Sequence, residues 1–148
     1  MRRPGRAALL VAATGLHAGF QATVTVLVYP ALARTREDDF AAAHDVHSRR
    51  ITPLVAVVYG GLAVACGGAL RAEPQSPGVR VAALGSAGAV LVTAAVAAPT
   101  HSRLARGRTP ELVSRLLVAD RVRLACAVLA LGGAVRAAMA RAPGTAGA

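Results

Sequence analysis

Polar residues are nearly absent from four stretches of the chain, about residues 7–32, 51–70, 80–99 and 113–138, and crowd the connections between them. A helix rising 1.5 Å per residue crosses a hydrocarbon layer of roughly 30 Å in about 20 residues, and each stretch reaches that length. The pattern predicts an all-α fold, a four-transmembrane-helix antiparallel bundle forming one integral membrane domain over 1–148. The opening MRRPGR followed by AALLVAATGL imitates a signal peptide, but no small-x-small cleavage site follows and the apolar run continues to Leu32. It is therefore read as a retained first span.

The connections carry their own signals. Thr35 with Asp38 resembles a capping box and predicts a short interfacial helix over about 36–50 in the first loop, with Pro53 in the first turn of the second span or at a kink before it. RAEPQSPGVR, residues 71–80, reads as a simple turn. Pro99 predicts the end of the third span, and Thr109–Pro110–Glu111 has the N-cap, N1 and acidic first-turn pattern of a helix start. The tail APGTAGA, 142–148, predicts a disordered end. Gly60–Gly61 and Gly67–Gly68 are candidates for close helix approach, as small residues are in membranes.

Within the spans the polar positions are few and patterned. His17, Gln21, Thr25 and Tyr29 recur every four residues and form a slowly drifting ladder on the first helix. Thr52, Tyr59 and Cys66 recur every seven on the second, and Ser86 and Thr93 on the third, where they read as packing contacts. The fourth span holds Asp120, Arg121 and Arg123, beginning ten residues past Pro110, about 15 Å along the axis. An Arg or Asp at the centre of a span costs about 2.5–3.5 kcal/mol on insertion scales, so such residues face a bundle interior or a water-filled cavity. Asp120 and Arg123, three apart, can neutralise each other. Arg121 points about 100° away, to snorkel or to enter a cavity.

Parity then brings distant residues together. Four antiparallel spans place the first and third loops at one end, so His44, His47 and His101 share a face with the entry of the fourth helix and the Tyr29 end of the ladder. Composition narrows the classes. Of 148 residues, 55% are apolar and 16% charged, which excludes a disordered chain. The net charge of +10 is carried by Arg alone, without the basic stripe and interleaved rings of a nucleic-acid reader, so no nucleic acid is expected and anionic lipid headgroups are the simpler partner. Cys66 and Cys126 stand alone in apolar runs, as structural thiols do.

VYPAL at 28–32, Phe40 with His44, RRITPLV at 49–55, PTHSRLARG at 99–107 and the charged start of the fourth helix resemble the small four-helix bacterial membrane proteins related to anthrone oxygenases, many of which carry only a domain-of-unknown-function label. Arg123 matches the Arg of that group's Asn-Trp-x-Arg-like run, whereas Asp120 and Arg121 stand where it has Asn and Trp. The resemblance implies oxidation of a polycyclic aromatic anthrone by molecular oxygen, with no recognised organic cofactor. Such chemistry needs a base, for which His44, His47 and His101 are candidates, and a cation for the oxyanion, for which Arg123 is the candidate with Arg121 second. Asp120 would orient Arg123, and His17, Gln21, Tyr29 and Tyr59 would line the substrate pocket.

Three readings are consistent with these signals. One is a multi-pass cell-membrane enzyme acting on a lipophilic small molecule by anthrone-type oxygenation or a related proton-transfer or cyclisation step. Another is a metal-dependent membrane oxidase with copper or iron on His44, His47 and His101. The third is a non-catalytic membrane subunit or binding protein whose charges specify helix pairing. A homo-oligomer is compatible with all three.

Overall fold

The computed structural model describes residues 5–141. The disordered end expected over 142–148 lies outside the described residues. Four helices, each long and apolar enough to cross a membrane, account for nearly all of the described chain: α1 (Arg6–Ala33), α2 (Glu37–Ala72), α3 (Pro77–Leu104) and α4 (Pro110–Met139). They form a four-helix bundle in which α1 and α3 each pack against both α2 and α4. Large apolar side chains such as Leu16, Val26, Val57, Val64, Leu84, Leu91 and Val128 are exposed all around it. An apolar outer surface of this extent is the signature of a membrane contact rather than an aqueous one. The protein is built as a multi-pass membrane protein.

The helix starts follow local chemistry. Thr109 caps α4 by accepting the Leu112 N–H at 3.3 Å, with Pro110 and Glu111 in the first turn. Ser76 does the same for α3 with Val79, ahead of Pro77. Thr35 does not cap α2; its hydroxyl instead donates back to the Ala31 carbonyl, and Arg36 occupies the cap position before Glu37, Asp38 and Asp39. Three carboxylates on the first turn stabilise it through the helix dipole without a side-chain cap.

The amphipathic segment expected over 36–50 is helical and runs unbroken into the second span, giving one helix of 36 residues. Pro53 lies inside it. Its missing N–H strands the carbonyl of Arg49, a residue that is exposed and whose backbone can reach water at the membrane edge. Beside it, the Thr52 hydroxyl donates to the Ser48 carbonyl at 2.7 Å.

The closest contact in the bundle joins α3 to α4. A Cβ added to Gly78 would lie 2.7 Å from the Ala137 nitrogen, one on Gly85 2.7 Å from the Cys126 carbonyl, and one on Gly133 2.6 Å from the Ala82 nitrogen. Close backbone approach lets dispersion between helices substitute for a hydrophobic driving force that lipid does not supply. The glycine pairs expected to play this part do not. Gly60, Gly61 and Gly68 face open space, and Gly67 meets only the Arg71 side chain. Glycine content alone does not say which face of a helix meets a neighbour.

Two of the helices contain a widened turn. Residues Val24–Val28 of α1 and Thr93–Ala97 of α3 are π-helical, closed by N–H bonds from Tyr29 to Val24 and from Ala98 to Thr93, five residues back. In each case the donor immediately precedes a proline, Pro30 or Pro99. A proline inside a helix has no N–H, and its ring collides with the carbonyl four residues earlier; a wider turn relieves that collision. The extra residue resets the helical phase beyond the turn. The buried row of α1 runs Leu10, Thr14, His17, Gln21, Val24, Tyr29, Leu32, with one five-residue interval across the π turn. The four-residue ladder is thus interrupted: Thr25 leaves the row and donates to the Gln21 carbonyl at 2.9 Å.

The core divides into two apolar clusters. One includes Leu10, Ala69, Val79 and Ala134, and the other Val24, Phe40, Ala97, Leu104 and Leu116, toward the end of the 34–36 and 105–109 connections. Between them each helix contributes polar side chains.

Candidate functional site

Arg123 is the hub of that polar layer. It is about 20 Å along α4 from Pro110, yet only 5% exposed. One guanidinium nitrogen, Nη2, donates to Asp120 Oδ1 at 2.8 Å and to the Tyr29 hydroxyl at 3.1 Å. The other, Nη1, reaches Thr93 Oγ1 at 3.4 Å. Asp120, 1% exposed, also accepts from Gln21 Nε2 at 2.5 Å. The carboxylate is thereby tied to both α1 and α4. Burying two ions costs several kcal/mol each, which is tolerable when they are paired and their remaining positions are bonded.

Thr93 read as mere packing in the sequence, but it is part of this site. Its own proton goes to the Ala89 carbonyl at 2.8 Å, so its oxygen accepts from Arg123 and from the Tyr59 hydroxyl at 2.8 Å. The available clue was that it is one of only two hydroxyls in an otherwise apolar span.

From Arg123 a second chain leads outward through Tyr29, His101 and His44. An Arg only donates, so the Tyr29 oxygen accepts from it, and the hydroxyl proton is used when it goes to His101 Nε2, 3.1 Å away. His101 then accepts at Nε2 and, as a neutral imidazole, carries its proton on Nδ1. That proton is donated to His44 Nε2 at 2.9 Å. His44, 3% exposed, stacks on Phe40. His47 stacks on His101 with ring centroids 5.7 Å apart and meets Tyr29 edge-on. The three imidazoles predicted to share one face are therefore brought together, His44 and His47 each against His101, beside the Tyr29 end of α1.

A cavity of about 310 Å³ opens against this assembly. Its walls are Phe20 and Val24 of α1, Ile51 and Val55 of α2, and Ala97 and Ala98 of α3, with Tyr29, Ser48, Thr52, Thr93, His101 and Arg123 as the polar groups. A mostly apolar enclosure with a few converging polar groups is the usual form of a small-molecule site, and this volume is at the lower end of that range. A larger groove of about 720 Å³ between α2 and α3 is lined mostly by apolar residues, with Tyr59, Arg80 and Ser86 as its polar members.

Relative to the residues singled out in the sequence, the cavity wall holds Tyr29, His101 and Arg123. Asp120 and Gln21 are behind the wall, holding Arg123. His44 and His47 support His101 from the loop side. Tyr59 reaches the site only through Thr93. His17 is fully buried, edge-on to Tyr59 at 5.4 Å, and neither ring nitrogen has a partner; it does not line the cavity. Arg121, a candidate for substrate binding, is instead exposed on the outer side of α4, because the helical phase that buries Asp120 and Arg123 turns it away. Cys66 and Cys126 are free thiols.

Among the described residues no group of three or more His, Cys, Asp or Glu side chains is arranged to hold a metal ion. Both nitrogens of His101 are engaged, by Tyr29 and by His44, so a metal on the three imidazoles would require these bonds to break. Comparison with family models, with curated proteins and with solved structures finds no match to this chain. Fold and site together define a class: a four-helix integral membrane protein with a charged, hydrogen-bonded site inside the bundle.

Proposed function

We propose that the protein is a membrane enzyme that takes a lipophilic, weakly acidic small molecule into the cavity between α1, α2 and α3 and removes a proton from it. An anthrone, acidic at one carbon and oxidised by molecular oxygen once ionised, is the substrate type that the short motifs suggest. The observation that carries this reading is the convergence of Arg123, Tyr29 and His101 on one wall of a 310 Å³ cavity whose exposed surface is mostly apolar. A guanidinium keeps its charge in a low-dielectric site and presents several N–H donors, which suits an oxyanion formed beside it. Tyr29 and His101 supply groups that can take the proton. Asp120 and Gln21 hold Arg123 in place, a preorganisation that a catalytic cation needs.

A second reading, a non-catalytic subunit whose charges specify helix pairing, is favoured by one observation: Gln21, Asp120 and Arg123 tie α1 to α4 through buried bonds. Metabolite profiles of cells with and without the chain test between the two. The enzymatic reading expects an apolar compound consumed and a related one formed only when the chain is present. Identical profiles favour the structural reading.

A further inference from the structure

Two spaces meet at His101. On one side is the membrane cavity; on the other is a cleft of about 420 Å³ lined by His44, Asp45, Ser48, His101 and Ser102, where Asp45 and Ser102 are exposed at the loop end of the bundle. His101 and Ser48 are walls of both. Between the two spaces runs the hydrogen-bonded chain Tyr29–His101–His44, with Arg123 donating to its inner end.

We propose that this chain is a proton path: Tyr29 is the group that exchanges a proton with the molecule in the cavity, and His101 and His44 carry that proton to the outer cleft. The proposal deepens the enzymatic reading above and rests on it for the source of the proton. The steps balance without any co-reactant. Tyr29 gives its hydroxyl proton to His101 Nε2, His101 gives its Nδ1 proton to His44 Nε2, and His44 gives its Nδ1 proton to water in the cleft. The tyrosinate left behind is held by the Arg123 N–H and takes a proton from the bound acid, restoring the hydroxyl and leaving the acid as its anion beside the guanidinium. Both rings then carry their protons on Nε2 and return to the starting tautomer when they reorient.

The path requires a tautomer on each ring that neither would adopt by default, and this is measurable with no knowledge of the substrate. In the full-length protein in lipid nanodiscs, labelled with ¹⁵N-histidine, His101 and His44 are expected to show protonated Nδ1 and acceptor Nε2. Tyr29→Phe removes the partner of His101 Nε2, and that resonance should move to the position of an unbonded nitrogen. Exchange of the His101 Nδ1 proton with water is expected to slow at least tenfold in His44→Leu. A wild-type His101 protonated on Nε2, or exchange equally fast in His44→Leu, overturns the path. These readouts are independent of turnover: if the tautomers are as stated but metabolite profiles do not respond to the chain, the enzymatic reading fails while the wiring stands.

Discussion

Asp120 and Arg123 should behave as one unit, and a double-mutant cycle measures how strongly. Asp120→Asn leaves a guanidinium that is 5% exposed without its counter-ion, although Tyr29 and Thr93 still accept from it. Removing one member of a buried pair typically costs about 3–5 kcal/mol, because the remaining charge stays buried. The neutral acceptors that persist here place the expectation near the lower end, about 3 kcal/mol. Arg123→Gln strands the Asp120 carboxylate, which keeps only the Gln21 amide at 2.5 Å, and a similar loss is expected. The double variant removes both charges together and leaves amides that can bond to each other and to Gln21. Its cost should fall short of the sum of the single changes by about 2 kcal/mol, within the range found for residues in direct contact. Unfolding of detergent-solubilised protein, followed by circular dichroism as denaturing detergent is added, gives the three values. Single costs that simply add would show that each group is stabilised by the bilayer edge or by water, and the pairing described for the bundle interior would be refuted.

Other substitutions test separate features. Gly133→Ala places a methyl group 2.6 Å from the Ala82 nitrogen and should destabilise the bundle by about 1–3 kcal/mol. Gly61→Ala, in open space within a helix, should instead raise stability by up to about 1 kcal/mol in the same unfolding assay. Pro99→Ala returns an N–H to α3 and allows the π turn to close as α-helix, rotating His101 by about 100°. The protein should still fold, while the ¹⁵N signature of the Tyr29–His101 bond disappears. Arg121→Ala removes an exposed charge that touches none of the site, so membrane accumulation and metabolite turnover should match the wild type.

The four spans, their order and the convergence of His44, His47 and His101 on one end were legible because they depend on coarse hydropathy and on parity, whereas the third span does not end at Pro99 as expected but runs on through His101 to Leu104. The pairing of Asp120 with Arg123 was legible because helix spacing is local. What the sequence concealed was phase. A periodicity of 3.6 residues extrapolates Thr25 into the ladder on α1, whereas the π turn ahead of Pro30 skips it and keeps Tyr29 inward. The same device ahead of Pro99 positions His101. Phase also decides that Arg121 faces outward and that the contacting glycines are Gly78, Gly85 and Gly133, since no count of small residues shows which face meets a neighbour. Thr93 was passed over because a lone hydroxyl in an apolar helix usually bonds its own backbone. This one does so and accepts from Arg123 and Tyr59 as well.

The most direct test of a chemical role for this site uses the paired substitution as its control. Asp120→Asn combined with Arg123→Gln removes the charge that faces the cavity while sparing the bundle most of the cost of either change alone. Metabolites are compared between cells carrying the wild type, cells carrying this double variant at the same membrane level, and cells lacking the chain. The account predicts that the double variant matches the cells without the chain, with the apolar precursor retained and its product absent. A product present at wild-type abundance with the double variant would contradict it.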